Sequence, residues 1–357
     1  MALNEVDTPF YDELFSANIT EKAPYVSVLM ITYNHEKYIV QAVSTILEQT
    51  YTDFELIISD DASPDNTQQV LLNYLRNYKG TGAVRYVRMC KNCYKHRAVF
   101  QRFARGELRM TVDGDDFSMP HRLQRTVELW ESLEPKPSIM QVNAFRYIDA
   151  TGELEGNAVN INEVEGGRRY FPPQDPLKVK FSPFGSAMVH SRSFYEWTCS
   201  LDNSRRVIAG DCVATCRALL DKGIWFIDEP LFYYRVNVGS VSFSGASNKK
   251  WIRDRLVRFQ VLEQDYKAVS PHGLVPQKIL RELHRYQRRM RWSAKLIDCS
   301  FPMWLLLWPI YCMISFSSAK NALKARVNLF LFGNVDGSFS KGNIFSFRNV
   351  LKGIKGE

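Results

Sequence analysis

The sequence predicts an α/β fold in which a largely parallel sheet is flanked by helices. Short apolar runs alternate with helical patterns from Tyr25 onward, an alternation typical of βαβ units. A hydrophobic content of 45% over 357 residues is enough for one large core with an appendage. Polar residues directly follow several apolar runs, where ligands bind in open α/β sheets. We expect a domain of residues 25–248, an N-terminal extension of residues 1–24 and a helical C-terminal region of residues 249–357.

The elements are expected in a regular order. Short apolar runs indicate strands, at Val26–Ile31, Phe54–Ser59, Val84–Val87 and Leu108–Val112; further strands are expected at Ile139–Tyr147 and Ser186–His190, with a closing pair at Trp225–Ile227 and Leu231–Val236. Periodic apolar positions indicate helices, at Glu36–Glu48, Asp65–Asn77, Lys95–Arg105 and Asp211–Lys222, with another opened by Pro120. Residues 150–184 are rich in Gly, Asn and charge and are expected to be irregular. A short amphipathic piece within residues 10–19 is expected to pack on the domain or on a partner.

Charge is distributed unevenly along the chain. The net charge is +8, yet residues 1–248 carry 26 Lys/Arg against 31 Asp/Glu, whereas residues 249–357 carry 20 against 7. The basic excess belongs to the C-terminal third, which argues against a nucleic-acid-binding protein and favours contact of one end with an anionic surface. Several cations recur there at helical spacing, namely Arg281, Arg285, Arg288, Arg289 and Lys295.

Residues 299–319 are uncharged and rich in Trp, Leu and Met. Their length permits a membrane span, because about 20 apolar residues cross a bilayer, but two prolines interrupt the run. A helical hairpin in the membrane interface and a buried helical subdomain are the alternatives. The flanking cations favour anionic lipid, so we expect a cytoplasmic protein bound peripherally to the inner membrane. The N-terminal residues have no basic or apolar signal region, so we expect no export signal.

The seven cysteines lack the spacing of a disulfide scaffold, which favours a reducing compartment. The pairs Cys90/Cys93 and Cys212/Cys216 have a spacing that a four-thiolate zinc site can use. Burial as small hydrophobic residues is the commoner fate of free cysteines and is the simpler interpretation.

The most informative motif is Asp113-Gly114-Asp115-Asp116, which follows the apolar run Leu108–Val112. Clustered carboxylates that leave a buried strand repel one another unless a cation joins them. The D-x-D-D spacing suits a hard divalent ion that takes oxygen ligands and bridges to phosphate oxygens. A solvated acidic turn is the alternative for an isolated motif of this length. The motif therefore indicates a site for a metal ion and a phosphate.

Two other strand ends also carry polar residues. The run Thr32-Tyr33-Asn34 ends the first strand, where a tyrosine ring can stack on a base while the backbone hydrogen-bonds its edge. The pair Asp60-Asp61 ends the next strand. Ser63-Pro64 is expected to supply the N-cap and first residue of the following helix. That assignment leaves Asp61 without a local structural role, so that it can accept a hydrogen bond from the N–H of a nucleotide base.

Four sequence blocks carry a resemblance to a known family: YVSVLMITYNHEKYIVQAVSTILEQTYTDFELIISDDASPDNT, ARGELRMTVDGDDFSMPHRL, AGDCVATCRALLDKG and DEPLFYYRV. Together they cover roughly residues 25–240, and they resemble the family 2 glycosyltransferases of the A-type fold. This nucleotide-sugar-dependent group includes polysaccharide and lipopolysaccharide assembly enzymes. The first block is specific along its full length, and the later ones occur in the family's order. The resemblance implies a Rossmann-like mixed sheet flanked by helices, to which the C-terminal helical, partly apolar extension is added.

The resemblance implies a nucleotide pocket at the first strand ends. In the sequence Thr32-Tyr33-Asn34, the tyrosine is implied to lie beside the nucleotide base. Asp61 is implied to accept a hydrogen bond from the ring N–H of that base. Asp113 binds the ribose. Uridine is the base that the family resemblance favours, with thymidine as an alternative.

The resemblance also implies a metal and a set of phosphate contacts. Asp115 holds Mn²⁺ or Mg²⁺ against the diphosphate, and Asp116, which follows Gly114 and Asp115, borders the donor sugar or shapes the metal site. Arg97 falls where the family often has a basic residue near the nucleotide phosphates, and a surface charge is the alternative for it. In relatives, a glycine usually stands where Cys93 follows Asn92, so the loop here is expected to differ in shape.

Asp211 matches the family's general base. It follows Gly210 and opens a helix, where the positive end of the helix dipole favours a carboxylate. The implied reaction is a single displacement with inversion, in which Asp211 takes the proton of an acceptor hydroxyl. Arg235 matches an arginine that often stands two residues before a metal-contacting histidine. Asn237 occupies that later position, so no histidine ligand is expected there, and Arg235 is left as a contact of the diphosphate.

The sequence thus predicts a metal-dependent inverting glycosyltransferase of the hexosyl or N-acetylhexosaminyl type. The donor is a nucleoside-diphosphate sugar, and the acceptor is a glycan or a lipid-linked saccharide in polysaccharide synthesis of the O-antigen or capsule type. A polyprenyl-phosphate sugar transferase and a non-catalytic membrane-associated nucleotide-sugar-binding module are the alternatives. Nucleotidyltransferases and dinucleotide-dependent oxidoreductases need a glycine-rich loop after the first strand, where this chain has TYNHEK. Four carboxylates retained together argue against a non-catalytic module.

Overall fold

The computed structural model describes most of the predicted domain. It covers residues 10–93, 95–159, 168–174, 185–202, 210–236 and 263–265, and seven single positions between 281 and 307. One compact unit consists of Met1–Val236 and Val257–Arg281, and a second consists of Asn237–Leu256 and Glu282–Glu357. The predicted boundary at residue 248 and most of residues 249–357 fall outside the described residues.

Strands and helices alternate through the first part of the chain, as the sequence predicts. The strands are β1 Tyr11–Ala17, β2 Val26–Thr32, β3 Phe54–Asp60, β4 Ala83–Met89, β5 Leu108–Asp113, β6 Phe117–Ser118, β7 Ile139–Ile148, β8 Glu153–Asn157, β9 Arg168–Phe171, β10 Met188–Ser191 and β11 Ile224–Val236. The helices are α1 Ile39–Leu47, α2 Thr67–Arg76, α3 His96–Phe103, α4 Arg122–Glu131, α5 Arg192–Asp202 and α6 Gly210–Leu220. A 3₁₀ turn, Gly185–Ala187, precedes β10.

All of these strands belong to one mixed sheet. Its order is β1-β4-β3-β2-β5-β10-β7-β11-β6, with β8 paired to β7 and β9 paired to β11. The pairs β2/β3, β2/β5 and β3/β4 are parallel, which confirms the predicted βαβ units. Strand β10 runs antiparallel to both of its neighbours, β5 and β7, and β1 runs antiparallel to β4 at the edge. The α/β fold with a mixed sheet is therefore confirmed.

Helices cover both faces of the parallel strands, which explains why β2 and β3 are buried on both faces. Every residue of β3 is buried. Alternate side chains of a strand point to opposite faces: Met30 and Ile58 pack with Val43 of α1 on one face, whereas Leu29 and Ile57 pack with α3 and α5 on the other. This three-layer core fixes the strand ends that carry the polar residues.

The structure differs from the sequence analysis at several elements. Residues Tyr11–Ala17 of the N-terminal extension form an edge strand of the sheet. Helix α5 was not predicted, and the stretch expected to be irregular contributes β8 and β9. The predicted closing pair is one strand, β11, whose register with β7 shifts around Pro230. These elements are set by tertiary pairing, which local sequence pattern does not encode.

Within the described part of the chain, no helix has both the length and the apolar character needed to cross a bilayer. Of the predicted membrane-contacting segment, residues 299–319, only Met303 and Leu307 are described. The alternatives given for that segment therefore stay predictions.

Candidate functional site

The polar residues predicted from the strand ends meet at one edge of the sheet. In the parallel register, Thr32 of β2 lies opposite Asp60 of β3, and Ile31 of β2 lies opposite Asp113 of β5. The backbone N–H of Asp61 donates to the Thr32 carbonyl at 3.0 Å, and that of Gly114 donates to the Ile31 carbonyl at 2.8 Å. The loops after all three strands are thus tied together at their first residue.

The loops after β2 and β3 contain residues in the left-handed backbone conformation. Asn34 has a φ of 62° and Ala62 a φ of 60°, which costs roughly 1–2 kcal/mol for a residue with a side chain such as Ala62. The N–H of Asn34 donates to Ser63 Oγ at 2.9 Å, which joins the two loops. Strain of this kind is concentrated at functional sites. Between the loops Tyr33 keeps 43% of its surface exposed, as a ring that stacks on a ligand requires.

Asp61 has local partners that the sequence analysis did not anticipate. It is buried, and its Oδ1 accepts the backbone N–H of Cys93 at 2.8 Å. His96 Nε2 lies 3.8 Å from Oδ2. Burial lowers the pKa of His96 to about 4, so the imidazole is neutral near pH 7. The expectation that Asp61 lacks a local duty is therefore wrong, because the loop at Cys93 folds back onto the carboxylate.

Helix α2 begins later than predicted. Its first residue is Thr67, whose N–H donates to Asp65 Oδ1 at 3.1 Å. Ser63 instead donates its hydroxyl to Asp60 Oδ1 at 2.6 Å. Ser63, which was expected to cap the helix, therefore stabilises the loop after β3. Asp65 accepts the N–H of Thr67 at the start of the helix instead.

The segment Asp113-Gly114-Asp115-Asp116 at the end of β5, which we call the acidic turn, brings three carboxyl groups together in a largely buried position. Burial and the neighbouring charge of Asp115 raise the pKa of Asp113 to about 6, although Ser186 Oγ donates to Asp113 Oδ2 at 2.6 Å. Burial also raises the pKa of Asp115, and burial together with Asp115 and Asp113 raises the pKa of Asp116 well above its ordinary value. The turn therefore concentrates negative charge that a nearby cation stabilises.

Gly114 is required for the shape of this turn. A methyl group added there would lie 2.8 Å from Thr32 Oγ1 and 2.9 Å from His35 Nδ1. These separations are shorter than any ordinary carbon contact, so a side chain would push the loops after β2 and β5 apart. The close approach of these two loops therefore requires glycine at position 114, and its assignment to the donor site stays a prediction.

Arg122 lies behind the acidic turn as a buried countercharge that the sequence analysis missed. It is 1% exposed, and burial lowers its pKa to about 9 against the opposing charges of Asp116 and Asp113. Nη1 donates to Ser118 Oγ at 3.0 Å, and Nη2 donates to the carbonyl of Ser186. Its position in helix α4 gives no sequence signal of burial, because arginine is usually exposed.

Arg235 clamps the acidic turn from β11. Its backbone N–H donates to Asp116 Oδ1 at 2.9 Å and its Nε to the Asp115 carbonyl at 2.7 Å. The two terminal nitrogens bind Asp149 and Gln41, and the guanidinium lies over the rings of Tyr38, Phe117 and Tyr147. These contacts favour a positioning role for Arg235 over the direct diphosphate contact expected from the sequence.

Arg97 and Asp211 lie on the same side as the acidic turn. Arg97 Nη1 donates to Thr198 Oγ1 at 2.9 Å. A methyl group at Gly210 would lie 3.9 Å from Arg97 Nη2, so the arginine reaches the start of α6. Asp211 is in the first turn of that helix and is close enough for its charge to raise the pKa of Asp113. Helix α6 begins at Gly210, one residue before the predicted start, and it brings the candidate base toward the acidic turn.

The donor set of the turn fits a hard divalent cation. Asp116 Oδ2 is buried and has no hydrogen-bond partner within the described structure, and Asp115 keeps 17% of its side chain exposed. No group of three or more His, Cys, Asp and Glu side chains among the described residues forms a complete metal cage. This arrangement suits Mg²⁺ or Mn²⁺, which takes few protein ligands and completes its shell with water and phosphate oxygens.

The raised pKa values predict a pH-dependent effect of metal on stability. A carboxyl group whose pKa is higher in the folded than in the unfolded state stabilises the folded state when it is protonated. For Asp113 this stabilisation is complete below the unfolded-state pKa of 3.8 and is lost as pH rises through the folded-state pKa of about 6. A cation offsets the loss. We expect Mn²⁺ to raise the melting temperature by several degrees at about pH 7.5 and by less than half as much at about pH 5. Differential scanning fluorimetry with a chelator control measures this, and equal shifts at both pH values would contradict it.

The comparison with protein families identifies the domain that carries this site. A model described as glycosyl transferase family 2 matches residues 27–197. Residues 27–197 are a family 2 glycosyltransferase domain. The matched range contains the loops after β2, β3 and β5, together with Arg97, and ends before Asp211 and Arg235.

Relatives and solved structures agree with the family and the fold. The chain is 26% identical over 319 residues to an uncharacterized glycosyltransferase of Nostoc sp. (strain PCC 7120), covering 80% of this chain and 89% of that protein. It is 24% identical to the UDP-Glc:alpha-D-GlcNAc-diphosphoundecaprenol beta-1,3-glucosyltransferase WfgD of Escherichia coli, covering 54% and 75%. Residues 1–349 of S. aureus TarS, in complex with UDP-GlcNAc, share the fold with a TM-score of 0.52 at 18% identity, covering 87% and 85%.

Proposed function

We propose that the glycosyltransferase moves a sugar from a nucleoside diphosphate, with uridine as the base, to a hydroxyl of a glycan or lipid-linked saccharide. The observation that carries the proposal is the meeting of Asp61, the acidic turn and the start of helix α6 at one edge of the sheet. An edge of this kind is where nucleotides bind in open α/β sheets. The TarS fold, crystallised with UDP-GlcNAc, supports a uridine donor.

The donor nucleotide is assigned to the loops after β2 and β3. The exposed ring of Tyr33 stacks on the nucleotide base, and Asp61 accepts a hydrogen bond from the ring N–H of that base. Neutral His96 and the backbone N–H of Cys93 keep the Asp61 carboxylate in place. Asp113, oriented by Ser186, accepts from the ribose hydroxyls.

The diphosphate is assigned to the acidic turn. Asp115, whose side chain is 17% exposed, and Oδ2 of Asp116, which has no hydrogen-bond partner among the described residues, are the groups that would hold Mn²⁺ or Mg²⁺. When bound, such an ion supplies Lewis-acid stabilisation of the departing nucleoside diphosphate. Arg235 and Arg122 keep the turn in shape from two sides, so its carboxylates need little reorganisation on binding.

Asp211 is assigned as the general base for the acceptor hydroxyl. The N-terminal end of α6 favours its ionised form. The acceptor oxygen loses its proton to Asp211 and attacks the anomeric carbon from the face opposite the diphosphate, so the configuration inverts. Base assistance of this kind contributes about 10²–10⁴-fold to the rate.

The acceptor is proposed to be presented at the cytoplasmic face of the inner membrane. The name of WfgD specifies a diphosphoundecaprenol-linked acceptor for that relative. In this chain Arg285, Arg288 and Arg291 are exposed and part of the basic region. Replacing these three with Gln should weaken flotation with vesicles that contain anionic lipid, since each basic residue near such a surface contributes about 1 kcal/mol. Equal flotation of variant and wild type would contradict the proposed membrane contact.

The experiment that tests the proposed function is a donor screen. Purified protein with Mn²⁺ is incubated with UDP-, dTDP- and GDP-linked sugars, and release of nucleoside diphosphate is measured with and without candidate saccharide acceptors. We expect release from UDP-sugars, stimulated by an acceptor and abolished by a chelator. Failure of every nucleotide sugar to bind or turn over would contradict the proposal.

A further inference from the structure

We propose that a buried network running from Asp265 through Arg217 and Thr198 to Arg97 positions helix α6, and with it the carboxylate of Asp211. Asp265 lies in Val257–Arg281, a segment that follows the catalytic residues in the chain but belongs to the same compact unit. The inference rests on the proposed function, because it assigns a positioning role relative to Asp211.

The strongest link is the ion pair between Arg217 of α6 and Asp265. Nε donates to Oδ2 at 2.8 Å and Nη2 donates to Oδ1 at 3.2 Å, a bidentate arrangement. Both side chains are completely buried. Two charges removed from water lose several kcal/mol of hydration each, so a pair like this contributes little net stability compared with an apolar pair. Its value lies in fixed geometry, which a planar guanidinium and a carboxylate impose on each other.

The network continues from Arg217 into α5 and α3. Arg217 Nη1 donates to the backbone carbonyl of Thr198 at 3.1 Å. The hydroxyl of Thr198 accepts from Arg97 Nη1 at 2.9 Å and donates to the Tyr195 carbonyl at 2.9 Å. Arg97 also approaches Gly210, the first residue of α6. The network therefore touches α6 at two points, near its N-terminus and six residues after Asp211.

Apolar packing alone gives α6 a weak definition of its position. Among its described residues, the buried apolar ones are Val213, Leu219 and two alanines, Ala214 and Ala218. Small side chains leave few ridges to lock a helix against rotation or sliding. Arg217 and Asp211 are about 9 Å apart along the helix axis at 1.5 Å per residue. A rotation or slide of the helix that the ion pair prevents would thus move the base away from the acceptor hydroxyl.

The test separates positioning from mere stability by removing both charges. Arg217→Met and Asp265→Leu should each lower the melting temperature, because each removes the opposite charge that the remaining buried ionic group binds. The double variant should recover most of that loss. We expect its kcat to stay about tenfold below wild type while its donor KM changes by less than about twofold. A double variant with wild-type melting temperature and wild-type kcat would overturn the inference.

Thr198→Val provides a second test that keeps the fold intact. The valine has the same shape and leaves the carbonyl bound to Arg217, but it removes the hydroxyl that accepts from Arg97. We expect a several-fold lower kcat at an almost unchanged melting temperature. Thr126→Val is the matched control, because Thr126 is also fully buried and its hydroxyl has no partner within the described residues. Wild-type kcat in Thr198→Val would overturn the inference even if the double variant fails to fold.

Asp211→Asn distinguishes failure of this inference from failure of the proposed function. If Asp211→Asn keeps full turnover, the assignment of the base is wrong and the network has nothing to position. If Asp211→Asn is inactive while the Arg217/Asp265 and Thr198 variants keep wild-type kcat, only the network inference fails.

Discussion

Replacement of Asp211 by Asn is expected to reduce sugar transfer about 10²–10⁴-fold, the range for a lost general base. The amide keeps the shape of the side chain in the first turn of α6 but cannot take the acceptor proton. Binding of the donor should persist, because contacts with its nucleotide base, ribose and diphosphate are assigned to residues other than Asp211. Steady-state transfer and donor affinity, measured on the same preparation, provide the two readouts.

Asp221→Asn is the matched control for this variant. Asp221 lies just after the opposite end of α6 and is exposed, and an asparagine there can still accept the hydroxyl of Ser138. It should retain wild-type transfer. Equal activity of Asp211→Asn and wild type would exclude Asp211 as the base, whereas loss of donor binding in Asp211→Asn would indicate a role in the donor site instead.

Replacement of Asp115 by Asn is expected to abolish metal-dependent turnover. Asp115 keeps 17% of its side chain exposed at the acidic turn, and we assign the metal to it. A Lewis acid on the leaving group is worth several kcal/mol, so loss of the ion corresponds to a decrease of about 10²–10³-fold or more. Initial rates over a range of Mn²⁺ concentrations measure the effect, and they should lose their saturable metal dependence.

The control for Asp115→Asn is Asp53→Asn. Asp53 is exposed and directly precedes β3, so it lies at the edge of the sheet opposite to the acidic turn. Its replacement should leave the Mn²⁺ dependence unchanged. An Asp115→Asn variant whose rate still rises and saturates with Mn²⁺ as in wild type would contradict the metal assignment.

The central fold was predictable because its strands are buried on both faces. The runs that form β2, β3 and β5 are mainly apolar, with Ser27, Glu55 and Arg109 as buried exceptions, and the intervening helices have 3.6-residue periodicity. Strand β1 and helix α5 were not predicted because their conformation depends on pairing and packing partners distant in sequence. Tyr11 of β1, for example, pairs with Met89 of β4.

The residues of the candidate site could be predicted where they directly follow a strand. They could not be predicted where their role depends on contacts with residues distant in sequence. Asp61 and the acidic turn could be chosen because parallel strands end at one edge. The fold confirms this common edge, although the roles of these residues remain proposals. Arg122 and Ser186 could not be chosen, since each acts through a contact with residues far away in the chain. The pair of Arg217 and Asp265 is separated by 48 residues and left no local pattern.

The measurement that tests the central claim most directly is calorimetric titration of UDP with and without Mn²⁺, on wild type and on Asp115→Asn. If the strand-end carboxylates hold a divalent cation against the diphosphate, wild type should bind UDP at least about tenfold more tightly with Mn²⁺ than with a chelator. Asp115→Asn should lose that difference. Identical UDP affinity with and without Mn²⁺ in wild type would contradict the account.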